Sequence, residues 1–144
     1  MKNKRKPWNQ YFMEIAEKVS ERATCDRLRV GCILVKDKRI ICSGYNGSLP
    51  KQNHCDDVGH LMIDGHCLRT CHAEVGCLYQ AAKFGISTDG AVAYVNWHPC
   101  FECLKALIMS GIKKIYYKDM YKAELVANFP KEIMEIIPLE KITY

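Results

Sequence analysis

Two apolar runs of strand length, RVGCILVK at 29–36 and RIICSGY at 39–45, are separated only by Asp37 and Lys38. Two residues leave room for nothing but a tight hairpin, so the sheet opens with an antiparallel pair. The density of apolar residues predicts that both strands are buried on two faces. After the hairpin the periodicity alternates. HAEVGCLYQAAKF from His72 is helical, AVAYVNW at 91–97 is a strand, CFECLKALIMS at 100–110 is helical and IKKIYY at 112–117 is a strand. Gly85 and Gly111 stand where a left-handed residue stops each helix. A strand, a helix and a second strand in that order predict a parallel pairing with helices covering the sheet. Upstream, Trp8, Phe12, Ile15 and Val19 recur at three-to-four spacing, predicting an amphipathic helix from 8 to about 22 with its apolar face on the core. Weaker helical segments fall near 121–128 and 131–137. The fold class is α/β, a three-layer sandwich with a mixed sheet.

At 144 residues and 49% apolar, the chain suits one domain, 1–144, with a single core. Lys2, Lys4, Arg5 and Lys6 supply four of its net +5 charges, so the remainder stands at +1. That distribution predicts a basic flexible tail over residues 1–7 and argues against a nucleic-acid surface, which needs cations clustered on the folded body. No apolar stretch approaches the ~18 residues of a membrane helix, and Glu14 and Glu17 interrupt any signal-peptide core. A cytoplasmic protein without a membrane partner is expected. Nine cysteines, an odd number in a chain too large to need staples, predict reduced thiols and metal thiolates.

The irregular stretch 46–71 carries Pro50, Gly59, Gly65 and a dense set of Cys and His, without sustained periodicity. A loop of that length is usually functional or disordered, and metal ligands would supply its order. Downstream, Pro99-Cys100-Phe101-Glu102-Cys103 puts two thiols one helical turn apart, directly after a strand. By itself CxxC fits a redox pair, half of a structural zinc site or two buried cysteines. His72-Ala73-Glu74 at the head of the other strong helix adds an imidazole and, two residues on, a carboxylate. A catalytic zinc takes three protein ligands and leaves one position open, where the pKa of water falls toward neutrality. His72, Cys100 and Cys103 are the three candidates, and Glu74 is the proton shuttle. The H-x-E and P-C-x-x-C pair is the signature of zinc deaminases, whose Glu acts as general acid and base and is not a ligand. A purely structural Cys2His site explains the ligands but gives Glu74 no task.

The chain resembles the cytidine-deaminase-like superfamily and, within it, the bacterial and viral deoxycytidylate (dCMP) deaminases. WNQYFMEIA, RATCDRLRVGCILVKDKRIICSGYNGS, the Cys/His-rich loop, HCLRTCHAE, AAKFGISTDGA and HPCFECLKALIMSGIKKIYY carry the resemblance. It implies an α/β/α sandwich on a mixed, mostly five-stranded sheet and hydrolytic deamination of dCMP to dUMP, the step that supplies thymidylate synthesis. It also implies that the Ala73 backbone N–H meets the base carbonyl and that Asn46 meets the sugar. A nucleotide phosphate needs a cationic receptor, for which Arg27 is the first choice because guanidinium grips phosphate oxygens bidentately. Similarity to the family adds Tyr121 and His66.

Cys55, His60 and Cys67 lie in the long loop at spacings of five and seven, and His54 and His66 compete with His60 for a place in the set. Members of the family with a second, structural zinc place a ligand in the segment that here reads RATCDR, which makes Cys25 the fourth donor. A closed Cys3His cage would order the loop and bring Arg27 near the active site; free thiols in a mobile loop are the alternative. The family continues HAE with x-Asn-Ala, whereas this chain has Val75-Gly76-Cys77. Many dCMP deaminases are hexamers activated by dCTP and inhibited by dTTP. The resemblance carries over an effector site at Gly44, Tyr45, Asn46 and Gly47, with Mg²⁺ accompanying the nucleotides. Competing readings are a zinc deaminase of shifted preference, for dCTP, a nucleoside or a free base, and a zinc-stabilised binding module without catalysis.

Overall fold

The computed structural model describes residues 4–144. Residues 4–7, exposed and without regular structure, lead into α1, Trp8–Ser20. Lys6 is not part of a free tail: its ammonium pairs with Glu14 on α1. The tail expectation for residues 1–3 lies outside the described residues. Strands β1, Gly31–Lys36, and β2, Arg39–Tyr45, form the expected hairpin. Asp37 and Lys38 both adopt positive φ, 51° and 58°, as a two-residue turn matched to strand twist demands.

The loop has more structure than its sequence suggests. Short pairings close it at both ends and in the middle: β3, Gly47–Ser48, pairs with β6, Thr70–Cys71, and β4, Met62–Ile63, with β5, His66–Cys67. One helical turn, α2, spans Cys55–Val58. Elements of two to four residues are too short to carry a periodicity. Then come α3, Ala73–Phe84, β7, Val92–Trp97, α4, Phe101–Met109, and β8, Lys114–Asp119. Strand β8 begins two residues later than expected, because Gly111, at φ 81°, and Ile112, whose N–H donates back to the Leu107 carbonyl, still close off α4. The chain closes with α5, Ala123–Ala127, α6, Lys131–Met134, and β9, Leu139–Lys141.

The main sheet has five strands in the order β2-β1-β7-β8-β9. Strand β1 is antiparallel to both neighbours, while β7, β8 and β9 run parallel. The alternating side chains of β1 feed two cores. Ile33 and Val35 join Phe12, Met13 and Ala16 under α1, whereas Cys32 and Leu34 join Cys77, Ala81, Leu104 and Leu107 under α3 and α4. The three-layer sandwich follows from this division. β1 is buried on both faces as expected, but β2 is an edge strand with only Cys42 and Gly44 buried. An edge strand gives up that cover, so an apolar run such as RIICSGY does not by itself identify a central strand.

Two glycines set how closely the layers approach. A Cβ on Gly31 would come within 2.6 Å of the Ser20 amide nitrogen on α1, and one on Gly44 within 2.6 Å of the Cys77 amide nitrogen on α3. These close contacts lie near the sheet end where Tyr45, Gly31 and Trp97 are found, and the site is built at that end.

Candidate active site

Parallel strands β7 and β8 end together, with Trp97 paired to Asp119. The His98 N–H, donating to the Asp119 carbonyl at 2.8 Å, holds the two exits side by side. A crevice beyond the carboxyl ends of parallel strands is where open α/β sheets bind ligands. Its walls are the heads of two helices. His72 is the extended N-cap residue of α3, Cys100 that of α4, and Cys103 lies in the first turn of α4. The His72 Nδ1 atom is 3.5 Å from the Cys100 Sγ and 3.3 Å from the Cys103 Sγ. A tetrahedral zinc with ordinary Zn–N and Zn–S bonds separates such donors by about 3.6 Å, so the three fit one ion. A hydrogen bond from the Cys103 thiol, with help from His72 and against the cost of burial, brings the Cys100 sulfur down to about 4. The same bond and burial push Cys103 up. His72 is raised in turn, mainly by Cys100. One sulfur is therefore a thiolate at neutral pH, facing the positive ends of two helices.

Glu74 is 4% exposed, and burial raises its carboxyl above the ordinary range, opposed by its own backbone N–H and by His72. Ala73 is fully buried and opens α3, where a backbone N–H has no carbonyl one turn back to bond. Both line a cavity of about 660 Å³ that reaches from the buried Cys103 to an exposed rim holding Arg27, His66 and Tyr121. Arg27 donates to the Gly65 carbonyl at 3.4 Å. Tyr121 stands edge-on to Trp97, with ring centroids 6.4 Å apart. Asn46 also lines the cavity, but its carboxamide is partly occupied: Oδ1 accepts from the Val30 N–H at 2.8 Å and Nδ2 donates to the Leu28 carbonyl at 2.7 Å. One amide hydrogen and one oxygen lone pair remain for a ligand.

Two lining residues escaped sequence reasoning. Lys122, at φ 52° with its ammonium 5.1 Å from the Tyr121 ring centroid, adds a second cation beside Tyr121. Its signal was its place in the loop beyond a parallel strand. His98 is buried against Tyr117, and its Nδ1 donates to the Pro99 carbonyl at 2.8 Å. Burial lowers its pKa, which keeps the ring neutral.

The loop gathers a second cluster. Donor atoms of Cys25, Cys55, His60 and Cys67 all lie within 4.8 Å of one another. Cys25 Sγ is 3.4 Å from His60 Nδ1, and Cys55 Sγ is 3.5 Å from Cys67 Sγ. Burial, then Cys67, pushes Cys55 up to about 12. Against the cost of burial, backbone hydrogen bonds from Arg69 and Leu61 draw Cys67 down to about 6. Three sulfurs and an imidazole at these separations fit a closed tetrahedral site. Neither competing histidine joins it: His54 lies 3.9 Å from Asp57, and His66 lines the cavity that Glu74 shares. Of the proposed effector contacts, Gly44 is buried under α3, Asn46 and Gly47 are buried, and only Tyr45 presents an exposed side chain. Gly76 leaves open space where the family's Asn stands: a Cβ at this position would find only the Tyr45 carbonyl oxygen within 4 Å.

No helix among the described residues is long and apolar enough to cross a membrane. Over 121 residues the chain is 51% identical to ComE operon protein 2 of Bacillus subtilis, covering 84% of this chain and 64% of that protein. It is 32% identical to the deoxycytidylate deaminase of Schizosaccharomyces pombe, over 94% of this chain and 46% of the relative. The chain thus spans less than two thirds of either relative's length. The dCMP deaminase of cyanophage S-TIM5, solved in complex with dCMP and dUMP, superposes with a TM-score of 0.80 at 29% identity, covering 96% of this chain and all of that one. Residues 6–119 match the family described as the cytidine and deoxycytidylate deaminase zinc-binding region, and with His72, Cys100 and Cys103 converging within that span, the chain belongs to this family.

Proposed function

We propose that the chain deaminates dCMP to dUMP with release of ammonia. The observation that carries this reading is the convergence of His72, Cys100 and Cys103 beside a buried Glu74, at the closed end of a cavity with a cationic rim. A zinc held by those three residues would lower the pKa of water toward neutrality and make a nucleophile available at neutral pH. Glu74 takes a proton as water adds to C4 of the pyrimidine and passes it to N3. It then takes the proton of the new C4 hydroxyl and hands it to the C4 amine as the carbonyl forms and the C–N bond breaks, so dCMP and water become dUMP and ammonia. The raised affinity of its buried carboxyl for a proton suits both directions of transfer. The free N–H of Ala73 holds the base carbonyl, the unoccupied half of the Asn46 carboxamide holds the sugar, and Arg27, His66 and Tyr121 receive the phosphate at the rim.

A second, structural zinc in the Cys25, Cys55, His60 and Cys67 cage belongs to the same reading, supported by the convergence of the four donors. Dissolved protein then carries two zincs per chain, and a count of one removes the second. None of the nine cysteines is in a disulfide, which suits the reducing cytoplasm.

The test is ammonia release from dCMP, dCTP, CMP and deoxycytidine, each with and without dCTP or dTTP at fixed magnesium. Preference for dCMP by at least tenfold supports the reading. Equal rates with deoxycytidine would remove the phosphate subsite, and no turnover of any of them would leave a zinc-stabilised binding module. The effector arms, with sizing of the protein in solution, test regulation by dCTP and dTTP and the family's hexamer.

A further inference from the structure

We propose that Asp26 is the positioning residue of the second metal centre: its carboxylate orients the His60 imidazole and thereby sets how tightly the cage holds its metal. This inference rests on reading the cage as a metal site.

The His60 ring is gripped from both sides. Its Nδ1 faces the cage, 3.4 Å from the Cys25 Sγ, and its Nε2 lies 3.1 Å from the Asp26 Oδ1. The pair is a close contact and not an aligned hydrogen bond, but a carboxylate 3.1 Å away attracts an N–H and repels a ring lone pair, so in the neutral ring the hydrogen belongs on Nε2 and the lone pair on Nδ1, directed at the three sulfurs. That is the tautomer a metal needs. A carboxylate behind a ligating imidazole also makes the ring a better donor and holds its plane. Without Asp26, the ring is free to turn about its side-chain bonds and to place either hydrogen toward the cage.

The position of Asp26 in the chain makes the contact dependable. It directly follows Cys25, a cage donor that is 3% exposed, so the backbone that anchors the sulfur also aims the carboxylate. The guanidinium of Arg29 has a different acid for its partner, lying 3.9 Å from Asp56. The Asp26 side chain is 67% exposed and that of His60 28%, so water weakens the contact without breaking it. Removal of such outer partners costs 10- to 100-fold in metal affinity, and this exposure places the expected loss near the lower end, about tenfold.

The experiment equilibrates zinc-loaded full-length protein with graded chelator buffers and measures zinc retained per chain for wild type, Asp26→Ala, Asp26→Asn and Cys55→Ser. Wild type is expected to release two zincs in separate steps, and Cys55→Ser to lack one of them. Asp26→Ala shifts only the step missing in Cys55→Ser, to about tenfold higher free zinc. Asp26→Asn, which keeps an accepting oxygen without the charge, falls between. The proposal is overturned if Asp26→Ala releases both zincs as wild type does, or if both steps weaken together, which is the mark of general loosening. If wild type and Cys55→Ser each hold a single zinc, the second centre itself is wrong and the role of Asp26 falls with it.

Discussion

Gly44 on β2 lies so close to Ala73 at the head of α3 that a Cβ added to the glycine would collide with the Ala73 carbonyl oxygen and stop 2.6 Å from the Cys77 amide nitrogen. Ala73 stands between His72 and Glu74, so this contact seats both against the sheet. Gly44→Ala is expected to push α3 away at a cost of about 1–3 kcal/mol. The melting temperature should fall by at least about 3 °C, together with zinc content and turnover. An unchanged melting curve would show that the helix can shift at no cost.

Glu74→Gln keeps the shape of the buried side chain but cannot carry a proton. Turnover should drop by about 10²-fold or more while zinc per chain, measured by metal analysis, stays the same. Loss of zinc along with activity would make Glu74 a ligand or a structural support instead of a proton carrier.

Arg27→Ala tests the rim. A charge-assisted hydrogen bond is worth about 1.5–3 kcal/mol, so KM for dCMP should rise roughly 10- to 100-fold with kcat nearly kept. The kinetics of deoxycytidine, which has no phosphate, should not move; if they worsen equally, Arg27 supports the loop and does not bind the nucleotide.

Tyr94 predicts the alkaline limit of stability. Its ring is buried between Phe12 and Tyr116, its hydroxyl donates to the Asn9 Oδ1 at 2.7 Å, and burial pushes its pKa from 10 to about 12. Because folding raises this pKa, the contribution is complete below pH 10 and disappears as the pH climbs through 12, at a total, after screening by water, of about 1–2 kcal/mol. Tyr94→Phe should lose about 1 kcal/mol at neutral pH with the hydrogen bond, and its stability should then fall less steeply between pH 10 and 12 in denaturant titrations. Identical slopes in the two proteins would assign the alkaline loss to another group.

The chain alone determined the parts of this protein that depend on neighbours along the backbone. The two-residue turn at Asp37 and Lys38 permits only a hairpin, Gly85 stops α3 in the left-handed conformation, and the three-residue spacing of Cys100 and Cys103 puts both sulfurs at one helix head. His72 and Glu74 were legible for the same reason: a short motif at the start of a periodic segment keeps its meaning wherever the helix is packed. Tertiary structure decided whatever depends on residues distant in sequence. Strand β9 has three residues and exists only because β8 offers it an edge, and β2 becomes an edge strand because no further strand covers it. His60, and not His54 or His66, faces Cys25 because the β4–β5 hairpin folds the loop back on itself, which also brings Asp26 behind the ring. Lys122 reaches the cavity through the crossover that sets β8 beside β7. Local geometry is carried by covalent spacing and a few dihedral angles, whereas these meetings across tens of residues depend on which surfaces bury each other, and that is settled only when the layers close.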